Sequence, residues 1–482
     1  MGAGKAGTGA RTAGLPRAMH PDLRESGMPS FSSIPLPAAL HAALETLGYA
    51  EMTPVQAASL PAIIAGRDLI AQAPTGSGKT VAFALGLLHR LDVSLLKPQA
   101  LVLCPTRELA DQVAKEVRRL AAKVPNLKVL TLTGGVALAP QLASLRKDSH
   151  VIVGTPGRVQ ELLKKQALSL AKAKTLVLDE ADRMLDMGFE EAIRDVVRHL
   201  PPRRQGLLFS ATFPEAIRAI ARDLLREPLE VSIEGAHEQP AIDERFFETE
   251  AARKPAALVA LLAQHRPASS VVFCNTRRDV DDVAGALARS GIDALALHGD
   301  MEQRDRDEVL VRFANRSCSV LVASDIAARG LDIKDLAAVV NFELPPDPDT
   351  YRHRIGRTAR AGAAGLALNL VTAREMPRAH ALEARTGAAL RWDALRASGA
   401  PRDLHAPMVT LRIDAGRTDK MRPGDILGAL TGDAGLSADA VGKIDVFPTR
   451  SYVAIRRADA ARALERLRER GIKGRRVRIA RI

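Results

Sequence analysis

Aromatic side chains make up only 3% of the 482 residues, with one Trp and three Tyr, although apolar residues as a whole reach 46%. The interior cannot be built on rings, so it must come from Ala, Leu, Val and Ile, the residues of buried strands and the helices that cover them. Cysteine is scarcer still. Cys104, Cys274 and Cys318 are far apart and at no metal-ligand spacing, which argues against a disulfide scaffold and for a reducing compartment. No run of 18 apolar residues occurs, and Lys5, Arg11 and Arg17 are followed by no apolar export segment. The expectation is a soluble, cytoplasmic protein with no membrane partner.

Acidic residues are also in short supply, 56 against 69 Lys and Arg, for a net charge of +13. That surplus favours a polyanionic partner, nucleic acid before membrane. From Arg412 onward there are 17 Lys and Arg against 9 Asp and Glu, so 8 of the 13 surplus charges fall near the C-terminus.

The length suggests about three domains. Residues 1–28, rich in Gly, Ala, Ser and Pro, are expected to be a disordered tail. Leu36, Leu40, Leu44 and Leu47 recur at helical spacing up to Gly48, and Thr53-Pro54 starts a second helix. Next comes an apolar run from Leu69, then Pro74-Thr75-Gly76-Ser77-Gly78-Lys79-Thr80, then the apolar helix from Val81. Strand, glycine loop and helix N-terminus together grip a triphosphate. Gly76 and Gly78 let backbone N–H groups turn inward, Lys79 reaches the β/γ-phosphates, and the Thr80 hydroxyl can ligate Mg²⁺. The strict phosphate-loop pattern has glycine where Ala73 stands. An ordinary glycine turn is the plainer alternative, and the strand-to-helix context weighs against it.

Strands then alternate with helices, and each strand runs into a polar turn: Pro105-Thr106-Arg107, Gly134-Gly135, Thr155-Pro156-Gly157-Arg158, Asp179-Glu180-Ala181-Asp182 and Ser210-Ala211-Thr212. Alternation of this kind predicts a parallel sheet with all these turns crowded at one edge. A linker is expected at 234–243. A second alternating set follows and is expected to close at Ala338–Phe342, with turns at Asn275-Thr276, Gly299-Asp300 and Ser324 to Gly330. It has no phosphate loop. It carries Tyr351-Arg352-His353-Arg354-Ile355-Gly356-Arg357-Thr358-Ala359-Arg360, either a solvated basic face or arginines that meet a phosphate. Residues 376–405 read as a helical connector. From 406 a strand, helix, two strands, helix and strand (the last at Arg475–Ile479) give the ferredoxin-like plan of RNA-recognition modules.

The phosphate loop, the Asp-Glu-Ala-Asp run, Ser-Ala-Thr and the arginine block, in that order, resemble the DEAD-box RNA helicases from Phe31 to Thr372. Lys420-Met421-Arg422-Pro423-Gly424-Asp425 and the residues after it resemble the DbpA-type RNA-binding domain. The resemblance implies an α/β chain: two tandem RecA-like P-loop domains with parallel sheets at 29–233 and 244–375, plus a small C-terminal α+β RRM-like domain at 406–482. ATP and Mg²⁺ are the implied cofactors. Phe31 would stack on adenine, Gln56 would hydrogen-bond it, and Asp332 would contact the nucleotide. Asp179 would hold the Mg²⁺ shell with Thr80, Glu180 would orient and deprotonate the water, and Arg357 and Arg360 would stabilise developing charge. Asp182, Ser210, Thr212 and His353 would couple the ATP site to RNA.

RNA contacts are expected at Pro105, Thr106, Arg107, Gly135, Thr155, Pro156, Gly157, Arg158, Thr276, Gly299, Gln303, Arg306, Ser324, Arg329 and Gly330. In the C-terminal domain they are expected at Lys443, Arg450 and Arg456. There Tyr452 is the one aromatic placed on the sheet face, where such modules carry several. The implied activity is local unwinding of structured RNA, large-subunit (23S) ribosomal RNA and pre-ribosomal particles, by a monomer. A DNA helicase and an ATP-gated RNA clamp without strand separation remain the alternatives.

Overall fold

A computed structural model describes residues 28–74, 76–147, 149–213, 215–233, 242–328, 336–358, 365–395, 404–433 and 435–482. The expected disordered tail, but for Met28, and most of the expected linker lie outside them, as do Thr75, Arg329, Gly330, Asp332 and Arg360. The chain divides into two compact units, 1–236 and 237–482.

Among its described residues the first unit holds seven strands, β1 (Leu69–Gln72), β2 (Ala100–Leu103), β3 (Val129–Leu132), β4 (Val151–Gly154), β5 (Thr175–Asp179), β6 (Gln205–Ser210) and β7 (Leu229–Ser232). They pair in the order β3-β4-β2-β5-β6-β1-β7, all parallel. β2, β4, β5 and β6 are buried along their whole length, which is why they read as unbroken apolar runs. One core lies on each face, and the scarcity of rings makes both aliphatic; Phe83 against Phe209, 5.3 Å between centroids, is an exception. β6 separates β1 from β5, so the turn ending β6 stands between the phosphate loop and the acidic run.

In the second unit β8 (Ile242–Glu248), β9 (Ser270–Cys274), β10 (Ala294–Leu297), β11 (Val320–Ser324), β12 (Ala338–Asn341) and β13 (Gly365–Val371) form a parallel sheet in the order β10-β11-β9-β12-β13-β8. Two sequence expectations are corrected here. The sheet does not close at Phe342, because β13 pairs with β12 and β8 pairs with β13 at the edge. The linker does not extend to 243, because Ile242 and Asp243 already belong to β8. The polar start of β8 hid it: an edge strand needs few apolar residues.

The helix Met376–Thr386 buries Ala379 and Leu382 against Phe246 and Leu344, so this stretch belongs to the second unit's core and is not a connector. Beyond it β14 (Met408–Ile413), β15 (Val441–Val446), β16 (Ser451–Arg456) and β17 (Ile479–Arg481) make an antiparallel sheet ordered β15-β16-β14-β17. The strand–helix–strand–strand–helix–strand order is as expected, but the last strand starts at Ile479 and not at Arg475. Residues 475–478 are too basic for an apolar strand face, and Arg475, Arg476 and Arg478 stay exposed.

Candidate nucleotide and RNA sites

The phosphate loop turns between β1 and the helix Lys79–His89 through two left-handed glycines, Gly76 (φ +85°) and Gly78 (φ +97°). A Cβ on Gly78 would come within 2.5 Å of Gln56 Nε2, so the position requires glycine twice over, for conformation and for space. Helix Pro54–Ile64 braces the loop. Thr53 Oγ1 donates to Ser77 O at 2.7 Å, and Gln56 Nε2 donates to Gly78 O at 3.1 Å while its Oε1 accepts from Thr53 N at 2.8 Å. The amide assigned to adenine is thus engaged with the loop. Phe31 is 2% exposed, and its ring meets Tyr49 edge-on at 6.2 Å. Lys79 is buried, and its Nζ donates to Ala73 O at 2.8 Å.

Asp179, the last residue of β5, is 3% exposed. Burial, and then the neighbouring Glu180 charge, push its carboxyl up to about 7, with Lys79 only partly offsetting them. Glu180 adopts a left-handed backbone (φ +53°), a strained position for a residue with a side chain. Its Oε2 accepts from the Arg183 guanidinium at 2.8 Å, and both side chains are buried. Sequence reasoning did not single out Arg183; its spacing of three from Glu180 on a helix was the available signal.

Asp182 behaves in the opposite way. Burial would raise its carboxyl too, but hydrogen bonds hold it below the usual range. Oδ2 accepts from Thr212 N at 2.9 Å, Thr212 Oγ1 at 3.0 Å and Ala211 N at 3.2 Å, while Asp182 N donates to Ser210 Oγ at 3.3 Å. The acidic run and Ser210-Ala211-Thr212 are thereby one hydrogen-bonded body. The strand order makes this possible, since β5 and β6 are neighbours.

The turns after β2, β3 and β4 also converge. Gly135 (φ +69°) lies so close to Arg107 that a Cβ there would be 2.8 Å from Nη1. Thr155 Oγ1 accepts from Gly134 N at 3.2 Å, and Arg158 Nη2 donates to Val136 O at 2.9 Å while its Nη1 has no partner among the described residues. Thr106 caps the helix Arg107–Leu120 by accepting from Leu109 N at 3.3 Å, and Pro156 and Gly157 open the helix Pro156–Lys164.

In the second unit Thr276 caps the helix Arg277–Arg289, Gly299 follows β10, Gln303 and Arg306 lie on the helix Gln303–Ala314, and Ser324 ends β11. His353 and Arg357 lie at and just beyond the end of the helix Pro348–Ile355, Arg357 buried. The arginine block divides. Arg352 is exposed, whereas Arg354 is 2% exposed and directs all its donors inward: to both Asp325 oxygens at 2.7 Å, Asn341 Oδ1 at 2.9 Å, Glu343 O at 2.7 Å and Asn275 Oδ1 at 2.8 Å. It is a structural keystone. Asn341 continues the network to Asn369, Tyr351 and Glu244, and burial, followed by the Glu244 charge, raises the Tyr351 phenol far above its usual range. In the C-terminal domain Lys443, Arg450 and Arg456 pair with Asp445, Asp414 and Asp439.

Residues 53–220 match the DEAD/DEAH box helicase family, 253–362 the helicase conserved C-terminal domain and 410–481 the DbpA RNA binding domain. With the ATP-loop geometry and the acid–Ser-Ala-Thr body on adjacent strands, these matches place the chain among the DEAD-box ATP-dependent RNA helicases, to which it belongs. Within that family it is of the DbpA type. It is 54% identical over 453 residues to the ATP-dependent RNA helicase DbpA of Escherichia coli, covering 94% of this chain and 99% of that one. It is 42% identical to the DEAD-box ATP-dependent RNA helicase CshA of Geobacillus kaustophilus, over 74% of this chain and 77% of the relative. Among solved structures, S. cerevisiae Dbp5 bound to RNA and ADP BeF3 superposes with a TM-score of 0.69 at 30% identity, over 76% of this chain and 96% of that one.

Proposed function

We propose that this helicase uses Mg²⁺-dependent ATP hydrolysis to unwind or remodel structured large-subunit ribosomal RNA during ribosome assembly, as a cytoplasmic monomer. The observation that carries the ATPase reading is that the phosphate loop leading to Lys79 follows β1, Asp179 ends β5 and the Asp182–Thr212 body follows β5 and β6, three neighbouring strands. A buried carboxyl lifted to about 7 has an unmet need for positive charge, and this fits a divalent cation. Asp179 and Thr80 would hold that ion, which would neutralise phosphate charge. Lys79 exchanges Ala73 O for the β/γ-phosphates. Glu180, tied through one oxygen to Arg183, keeps the other for the attacking water. Arg357 and Arg360 supply charge to the γ-phosphate. Asp332 contacts the nucleotide, Phe31 and Gln56 read its base, and His353 joins the Asp182–Ser210–Thr212 body in coupling. RNA is gripped at its backbone by the turns carrying Arg107, Gly135, Thr155 and Arg158 in the first unit, with Thr276, Gln303, Arg306 and Ser324 in the second. The DbpA RNA binding domain and the C-terminal charge surplus support the ribosomal target.

Glu180→Gln tests the chemistry. Turnover should fall by about 10²–10⁴-fold with ATP-dependent RNA binding preserved; loss of both together overturns the role of Glu180 as base. For the target, ATPase stimulation by transcribed large-subunit ribosomal RNA should exceed that by small-subunit RNA at equal nucleotide concentration, and equal stimulation removes the ribosomal assignment.

A further inference from the structure

The C-terminal sheet has two unlike faces. Val409, Leu411, Ile413, Val453, Ile455 and Ile479 face its own helices and form the domain core. The alternate residues, Thr410, Arg412, Tyr452 and Ala454, make the other face, the one on which RNA-recognition modules stack bases. Here that face is closed. Tyr452 is 4% exposed and Thr410 fully buried.

What closes it is the helix Gln303–Ala314 and the turn after it, in the same compact unit. Glu308 Oε2 lies 3.3 Å from Arg412 Nη1 and accepts from the Tyr452 hydroxyl at 3.5 Å. Thr410 Oγ1 meets Ser317 Oγ at 2.6 Å and Asn315 Nδ2 at 3.3 Å, a buried polar trio. At a third point the Asp293 carboxylate accepts from Ala406 N at 2.8 Å and from Arg457 Nη2 at 2.5 Å. Three polar contacts, the Thr410 trio buried away from water and the other two half-buried, define one register and not a greasy slide. At about 3.6 residues per turn Glu308 and Asn315, seven apart, share a helix face, and Gln303 and Arg306 project from roughly the opposite one.

We propose that the polar sheet face of the C-terminal domain is a docking surface for the second RecA-like domain, with Glu308 as its lock, and that this docking fixes the RNA held by the C-terminal domain relative to the RNA groove at Gln303 and Arg306. Glu308 is a positioning residue: it touches no RNA. Tyr452, committed to Glu308, is no stacking platform. The inference rests on the RNA-groove assignment of Gln303 and Arg306, and its test separates the two.

The test uses the full chain with Glu308→Arg, Arg412→Glu, the double exchange and Tyr452→Leu. Calorimetry without RNA reads docking alone. The second unit should melt in one transition in the parent, split into two in each single charge variant, and return to one in the exchange. With transcribed large-subunit ribosomal RNA, the single variants should keep filter-binding affinity within twofold but lose about fivefold or more in stimulated kcat, regained in the exchange. ATPase on poly(U) should be unchanged, which reports an intact helicase core. Tyr452→Leu should leave affinity within twofold. Unsplit melting in the single variants overturns the docking lock. A tenfold loss of affinity in Tyr452→Leu overturns the closed face. Split melting with unaltered kcat overturns the positioning role, and if that kcat already fails to distinguish ribosomal RNA from poly(U) in the parent, the RNA target falls while the docking result stands.

Discussion

Each parallel sheet buries a charge at the end of a strand or beside it, and the two are treated oppositely. In the second unit Arg354 uses every N–H it has on protein acceptors, lies over the Phe273 ring and leaves nothing to offer a ligand. In the first, Asp179 is just as deeply buried, but burial and Glu180 outweigh Lys79 and its carboxyl is driven up. Arg354 holds the fold together, whereas Asp179 costs stability and keeps its valence for something else. Burial alone does not mark a functional charge; burial without compensation does.

The comparison breaks first at Arg354. Arg354→Met should strand Asp325, Asn341 and Asn275 and lower the second unit's stability by about 3–5 kcal/mol in denaturant melts. Arg354→Lys should recover little, since one ammonium cannot reproduce the planar fork. If Arg354→Met melts like the parent, the keystone reading is wrong.

Asp179→Asn should do the reverse: end ATP turnover yet raise the first unit's stability at pH 8 by roughly 2 kcal/mol. The sign follows from the raised carboxyl. A group that holds its proton more tightly when folded carries no penalty below the ordinary carboxylate pKa of about 4 and the full penalty above about 7. The gain should therefore grow between those limits and vanish in acid. Glu375 provides the mirror image in the second unit. Burial opposes its ionisation, but Lys254 at 2.6 Å and Thr372 hold the carboxyl low, so its stabilisation is present above the ordinary pKa and is lost as pH falls through the folded one. Glu375→Gln should flatten the acid limb of the second unit's melting curve, while Asp179→Asn flattens the neutral limb of the first.

The smallest effect is expected at Thr212. Thr212→Val deletes one of the three hydrogen bonds to Asp182 Oδ2 and keeps both backbone donors, so about 1 kcal/mol should be lost. A loss several times larger would show that the hydroxyl, and not the backbone, holds the acidic run to the Ser-Ala-Thr turn.

The strand-to-turn alternation made the first sheet legible, because fully buried parallel strands write themselves as apolar runs followed by their loops. The phosphate loop was legible for the same reason. Three strands were not: β7 and β8 sit at sheet edges, where pairing needs little apolar surface, and the buried β13 comes past the point at which the alternation had already satisfied a sheet. Four arginines in nine residues looked alike in sequence. Only the helical turn, which takes Arg352 outward and Arg354 to the core, separates them. In the C-terminal domain the alternation gave the strands, but a polar residue such as Thr410 reads as solvent-facing until its partners, almost a hundred residues away, are in place.

The scarcity of cysteine has a practical sequel. All three thiols are buried, and burial pushes each above its ordinary pKa, so the reactive thiolate is nearly absent in the folded protein. Alkylation then waits on opening. Cys104 flanks Asp179 in the first unit, Cys274 ends the strand behind Arg354, and Cys318 sits next to Ser317 at the docked face. Each is a natural clock for the breathing of a different joint, readable by mass without introducing a label.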